Sequence, residues 1–266
     1  MQNRYVGDVG DFGKYGLLKA VCAGDSSGEL TLGVVWYLFP DEDHNADGKH
    51  ISYLLDSHKD SQAFKACDPT LYDSLKELVF KDGMVPRDSR NVEDIRDHHV
   101  LPAGTVFYEH PLSFVRPLDT KLIPLDERVA LRDAWQRDAL EQTSSCDVVF
   151  VDPDNGLEVK VKPHQKRGPK YVFFSDLIPY VGREQSLVIY HHIGRRGSAL
   201  KQVKERFAQI KGRLNRDSFA LLYHRGTARA YFIVPSQKHQ EILFDRSSEF
   251  VRGPWERHFE LVPPLS

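Results

Sequence analysis

The chain has 266 residues, with 36 lysines and arginines against 38 aspartates and glutamates, a formal charge of −2. Its apolar and charged fractions, 41% and 28%, exclude an intrinsically disordered chain, and the near-neutral balance excludes a globally basic nucleic-acid binder. No apolar run approaches the roughly 18 residues of a membrane span, and no charged-then-apolar leader opens the sequence. The expectation is therefore a cytoplasmic protein, neither membrane-inserted nor exported. Cys22, Cys67 and Cys146 lack the paired spacing of a zinc site or disulfide framework and read as small core residues. The length suits one large α/β domain with insertions, or two modest domains.

The first segment runs Asn3-Arg4-Tyr5-Val6-Gly7-Asp8-Val9-Gly10-Asp11-Phe12-Gly13-Lys14-Tyr15-Gly16, with four glycines at spacings of three. Leu17, Leu18, Ala20 and Val21 follow, so a helix with a glycine-rich first turn is expected. Glycine is unfavourable in helix interiors and is kept where something approaches the backbone closely. Two causes fit. A ligand can lie against the helix start, where an anion is favoured and Lys14 adds charge, or another element can pack there. A GxxxxGK[ST] phosphate loop is absent.

An apolar run over 32–39 is the first buried-strand candidate, and it ends in Pro40-Asp41-Glu42-Asp43-His44-Asn45. In a doubly wound domain this is where a nucleotide or sulfonium cofactor is held. With Asp47 and His50 the same residues also offer a divalent-metal site, and the plain alternative is an ordinary polar loop. Residues 51–96 read as a helical insertion with Leu71, Leu75, Leu78 and Val79 on one face, punctuated by Pro69, Gly83 and Pro86. A short strand over 105–111 ends in Glu109 and His110. Asp126 is expected to cap a helix whose apolar face holds Leu131, Trp135 and Ala139.

Val148-Val149-Phe150-Val151 is apolar without alternation, the pattern of a strand covered on both faces, and it runs into Asp152-Pro153-Asp154-Asn155-Gly156-Leu157-Glu158. Ligands sit beyond the carboxyl ends of such strands, which places Asp152 and Asp154 at the mouth of a site. The competing local reading is a β-hairpin, with turn chemistry over 153–156 and alternation over 157–162. Lys160, Lys162, His164, Lys166, Arg167 and Lys170 then form the densest basic run, a wet loop or a phosphate contact. A helix from Tyr171 to Pro179 and a strand over 186–190 ending at His191-His192 are expected next. A basic helix follows from Arg195 and Arg196 to Arg213. Leu200, Val203, Phe207 and Ile210 face its core; Lys201, Lys204 and Arg206 face outward. Phe219 to His224 and Ala230 to Val234 flank a turn at Gly226, and a helix near 237–250 and a strand near 258–262 close the chain.

This order of elements resembles a Rossmann-like methyltransferase: a doubly wound sheet with a C-terminal antiparallel hairpin and a helical insertion, in one domain over 1–266. In layout it is similar to the bacterial large-subunit ribosomal RNA adenine-N6 methyltransferases. The [D/N]-P-P-[Y/F/W] motif of such enzymes falls here on Asp152-Pro153-Asp154-Asn155, without the second proline or the aromatic. The resemblance implies S-adenosylmethionine as cofactor, with Tyr5, Lys14, Asp41 and Glu109 around it. Asp152, Asp154 and Asn155 would stand at the reacting end, and nucleic acid would meet the 160–170 loop and the 195–213 helix. Two alternatives stand beside it. Glu158-Val159-Lys160 supplies the E-x-K of a magnesium-dependent nuclease, with Asp152 and Asp154 as further acids. The other is a catalytically inactive methyltransferase-like binding domain.

Overall fold

The computed structural model describes residues 1–24, 28–42, 48–82, 84–87, 90–116, 121–195 and 197–264. A central seven-stranded sheet is built from β1 (Leu32–Trp36), β2 (Val106–Tyr108), β3 (Val148–Asp152), β4 (Ser186–His192), β5 (Phe219–Tyr223), β6 (Arg229–Val234) and β7 (Phe259–Val262). Their spatial order is β7-β5-β6-β4-β3-β1-β2. The β2-β1-β3-β4 block is parallel, and β6 enters antiparallel between β4 and β5, so five strands point one way and β6 and β7 the other. This is an α/β fold compatible with a Rossmann-like architecture.

Both faces of the sheet are covered, as the unbroken apolar run of β3 requires. Val148 and Phe150 face the layer containing α1 (Val9–Cys22), the insertion helix α2 (Pro69–Val79) and the last helix, α6 (Gln240–Arg252). Val149 and Val151 face α3 (Leu125–Gln142), α4 (Phe174–Gly182) and α5 (Ala199–Leu214). The insertion shares the first of these cores through Tyr53, Phe64, Leu71 and Leu75. It is not wholly helical, because Phe80–Lys81 pairs with Val85–Pro86. Gly83 lies outside the described residues.

Several local expectations change. Residues 157–162 do not fold back as a hairpin on β3, whose two edges are taken by β1 and β4; Gly156–Leu157 instead pairs in parallel with Tyr171–Val172. The following helix therefore starts at Phe174, and it runs past Pro179 to Gly182. Asp126 lies inside the first turn of α3, with Pro124 at the cap position. The buried face of α3 is Arg132, Trp135 and Ala139, while Leu131 is exposed, because Arg132 finds Asp176 of α4 at 2.5 Å. The basic helix begins at Ala199, where the Ser198 hydroxyl accepts from Lys201 N. Leu200 is exposed, and Leu214 joins Val203, Phe207 and Ile210 inside. Arg196 lies outside the described residues.

The glycines of α1 have a packing cause. A Cβ at Gly10 would overlap the Arg229 guanidinium, one at Gly13 the Tyr223 ring and one at Gly16 the Trp255 ring. The three form a stripe along which α1 lies directly on the β5-β6 hairpin and the Trp255 indole. Gly212, in α5, has nothing within 4 Å of an added Cβ. Gly13→Ala is therefore expected to destabilise by about 1–3 kcal/mol through overpacking, whereas Gly212→Ala should stabilise by about 0.5–1 kcal/mol from helix propensity. Urea unfolding midpoints test the pair, and a Gly13→Ala variant as stable as the parent would refute the packing stripe.

Candidate functional site

After β1 the chain passes outward to β2 at the sheet edge and then returns to lay β3 on the other side of β1. The strand order thus reverses between β1 and β3, and crevices at such reversals, beyond the carboxyl ends of the strands, are where α/β sheets hold ligands. The register Trp36↔Asp152 aligns the two tips, and Arg229↔His192 returns the antiparallel β6 to the same edge. A cleft of about 480 Å³ opens there.

At its centre is a buried ion cluster. Lys14 Nζ donates to Asp11 Oδ1 at 2.6 Å and to Asp152 Oδ2 at 2.7 Å, with side-chain exposures of 3–5%. The Trp36, Tyr15 and Tyr190 rings surround the ammonium, with centroids 5.4, 5.6 and 5.9 Å away. Burial alone would lower the lysine pKa, but Asp11 and Asp152 outweigh it and raise it. Lys14 is consequently a fixed cation, neither base nor nucleophile, at physiological pH. Asp11 is further held by Gly7 N at 3.1 Å and by the Tyr15 hydroxyl at 2.9 Å. Burial is the main influence on the Asp11 carboxyl and raises its pKa despite Lys14. The Asp152 carbonyl accepts from the Met1 amino group at 3.1 Å. The Asp152 Oδ1 receives no hydrogen bond among the described residues, and Asp152 lines the cleft.

Two flanking clusters complete the walls. Asp8 caps α1 by accepting from Gly10 N at 2.7 Å and Asp11 N at 3.0 Å, and its other oxygen lies 3.9 Å from Arg229. On the opposite side Lys170 Nζ bridges Glu42 at 2.6 Å and Asp154 at 3.1 Å, and Gln2 Nε2 donates to the same two carboxylates. Burial works to raise the Asp154 pKa, but the Met1 amino group and Lys170 more than offset it, leaving it below the ordinary value. The stability tied to Asp154 is present above the ordinary carboxylate range and is lost as pH falls through that lowered value. Behind the wall, His191 Nδ1 accepts from Leu157 N at 3.1 Å; burial, then Arg206 and His192, push its pKa down to about 3.

The cleft brings together Tyr5, Lys14, Asp152, Asp154 and Asn155 from the sequence reading. Asp41 is exposed, accepts from Arg4 N at 3.2 Å and is not part of the lining. Glu109 is also outside it, because β2 is the edge strand and Arg96 reaches the Glu109 carboxylate at 2.5 Å. Asp43, His44 and Asp47 of the proposed metal cluster lie outside the described residues. No group of three His, Cys, Asp or Glu side chains suited to a metal occurs among the described residues. Glu158 is turned to the start of α4, accepting from Phe174 N at 2.9 Å, and neither it nor the exposed Lys160 lines the cleft. Of the basic loop, Arg167 and Lys170 reach the cleft, and Arg195 does so from beyond β4. Arg206 donates to the Glu158 carbonyl at 2.9 Å, tying α5 to that loop rather than facing outward.

Sequence reasoning missed Asp8, Asp11, Gln2 and Arg229. The first two carried a signal: Asp8, Asp11 and Lys14 recur every three residues in an otherwise apolar, glycine-rich helix start. No family model, curated protein or solved structure matches the chain.

Replacing Lys14 by methionine would leave the Asp11 and Asp152 carboxylates without their cation, a change that costs about 3–5 kcal/mol when a buried pair is broken. Without Lys14 opposing it, Asp11 takes up a proton at still higher pH in the folded state. The deficit of Lys14→Met should therefore be largest at neutral pH and shrink as pH falls and the carboxyl neutralises. Denaturant melts of both proteins across pH 4–8 give the comparison, and a deficit that grows with acid would contradict it.

Proposed function

We propose that the chain is a Rossmann-like, S-adenosylmethionine-dependent methyltransferase-like protein acting on a nucleic acid, with Asp152 at the reacting end of its site. The observation that carries this reading is the cleft at the strand-order reversal, lined by Asp152, whose Oδ1 has no hydrogen bond among the described residues. Its volume lies within the range of small-molecule and cofactor sites.

The donor set fits the cofactor by charge. Among the lining groups, the carboxylates of Asp8, Asp11, Glu42, Asp152 and Asp154 outnumber the cations Lys14, Lys170, Arg229 and the Met1 amino group, so the inner wall is more acidic than basic. A wall of this kind favours a ligand with a sulfonium and an ammonium, and the interleaved Lys170 and Arg229 accommodate its carboxylate. Glu42 is the carboxylate on the β1 side of the cleft, the side on which the resemblance had assigned Asp41 and Glu109.

When bound, S-adenosylmethionine supplies an electrophilic methyl group. Lys14 fixes Asp152 Oδ2 and leaves Oδ1 to accept a hydrogen bond from an exocyclic amine, orienting the nitrogen lone pair. The Asn155 side chain, also in the lining, offers a donor and an acceptor to the same base edge. Asn155 stands where the motif's aromatic would be; Tyr5, half-buried at the cleft, supplies a ring for stacking.

A thermal-shift titration tests the reading. Ligand at a hundredfold excess over Kd stabilises by about 2.7 kcal/mol, which for a chain of this size raises Tm by several degrees. Methyl transfer from labelled cofactor to RNA should disappear in Asp152→Asn while the cofactor-induced shift remains. No shift at millimolar S-adenosylmethionine would end the proposal, and a shift without transfer to any nucleic acid would reduce the chain to a binding domain.

A further inference from the structure

The charged side chains of the cleft are sorted by position. Lys14, Lys170 and Arg229 are each held by carboxylates of the inner wall. Arg167 and Arg195 also line the cleft, yet both are exposed, and neither guanidinium has an ion pair or hydrogen bond among the described residues. They come from different segments, the basic loop after β3 and the turn after β4, and both line the same cleft. An acidic interior therefore lies behind a rim bearing two uncommitted guanidinium groups. Planar guanidinium forks match phosphate oxygens, so two such groups on one cleft offer a phosphate backbone charge-assisted contacts.

We infer that Arg167 and Arg195 form a phosphate clamp that presents an unpaired nucleotide of a single-stranded nucleic acid to the cleft. This rests on the function proposed above and specifies how its substrate is held. The acidic interior repels phosphate, so the backbone stays at the rim and only the base, with its exocyclic amine, reaches Asp152 and Asn155. Asp152 is 2% exposed at the base of the cleft, out of reach of a base still stacked in a duplex; enzymes that act on such atoms take single strands or extrude the base.

The test measures binding of fluorescein-labelled single-stranded 12-mers, RNA and DNA in separate arms, by anisotropy over a range of salt. Each phosphate contact contributes about 0.7 to the slope of log K against log salt for single strands. The Arg167→Gln/Arg195→Gln double variant should lose about 1.4 of that slope and bind about tenfold more weakly. Its Tm and its response to S-adenosylmethionine should match the parent, and Lys65→Gln, on the insertion, should bind like the parent. Unchanged affinity and slope in the double variant, no binding of either strand by the parent, or equal affinity for duplex and single strand would each overturn the clamp. Arginine-dependent strand binding without any S-adenosylmethionine shift would uphold the clamp and remove only the methyltransferase reading.

Discussion

The Lys14 ammonium is the joint on which the rest of the site depends. It connects α1, at the N-terminal end of the chain, with the tip of β3 at the centre of the sheet, and it does so inside a cage of aromatic rings where the paired side chains are only 3–5% exposed. Burying three ionised groups carries a heavy desolvation cost, and such clusters rarely improve on apolar packing for stability alone. What the cluster provides is position. One oxygen of Asp152 is fixed by Lys14, while Asp11 is tied back to Gly7, just before its own helix. The aromatic walls contribute cation–π attraction and exclude competing water, which keeps the lysine in one place.

This joint also explains the glycine stripe. For Lys14 to reach Asp152 through so short a distance, α1 must lie close to the sheet, and side chains at positions 10, 13 and 16 would hold it away. The glycine penalty in helix propensity is small beside the packing that the Tyr223 and Trp255 rings gain against the bare backbone. Hydrogen bonds from the Tyr223 and Tyr231 hydroxyls to the Val9 and Gly10 carbonyls fix the same approach at 2.7 and 3.4 Å. Sequence choice in α1 thus serves the electrostatics of β3, some 140 residues away in the chain.

The parts of this arrangement that were legible in the sequence are those governed by local composition. Uninterrupted apolar residues at 148–151 marked a doubly covered strand, and the residues after it marked its tip. The chain does bend at Asp154-Asn155, with Gly156 at φ +106, yet the local residues could not reveal a parallel ribbon with Tyr171–Val172, because that partner is set by the sheet. Glu109 does end a strand, but its distance from the cleft follows from β2 being outermost, a property of strand order. Arg132 took the place of Leu131 on the inner face of α3 because an acid on α4 awaited it. Local periodicity counts apolar residues and is blind to a charge whose partner lies 44 positions further on.

The same distinction separates the two zones of the cleft. Its inner wall is assembled from segments that meet only through the topology: the start of α1, the loop after β1, the tip of β3 and the first residue of β6. Lys14 with Asp152, Lys170 with Glu42 and Asp154, and Arg229 with Asp8 each pair across segments, so their orientation is set by the fold. Arg167 and Arg195, by contrast, belong to loops and have no ion pair among the described residues. Rigid interior charges suit a ligand bound in one pose, and loop cations suit a polyanion whose register can vary. A fold that fixes the first and leaves the second adjustable positions a small reacting group tightly while accepting a chain of phosphates in more than one register.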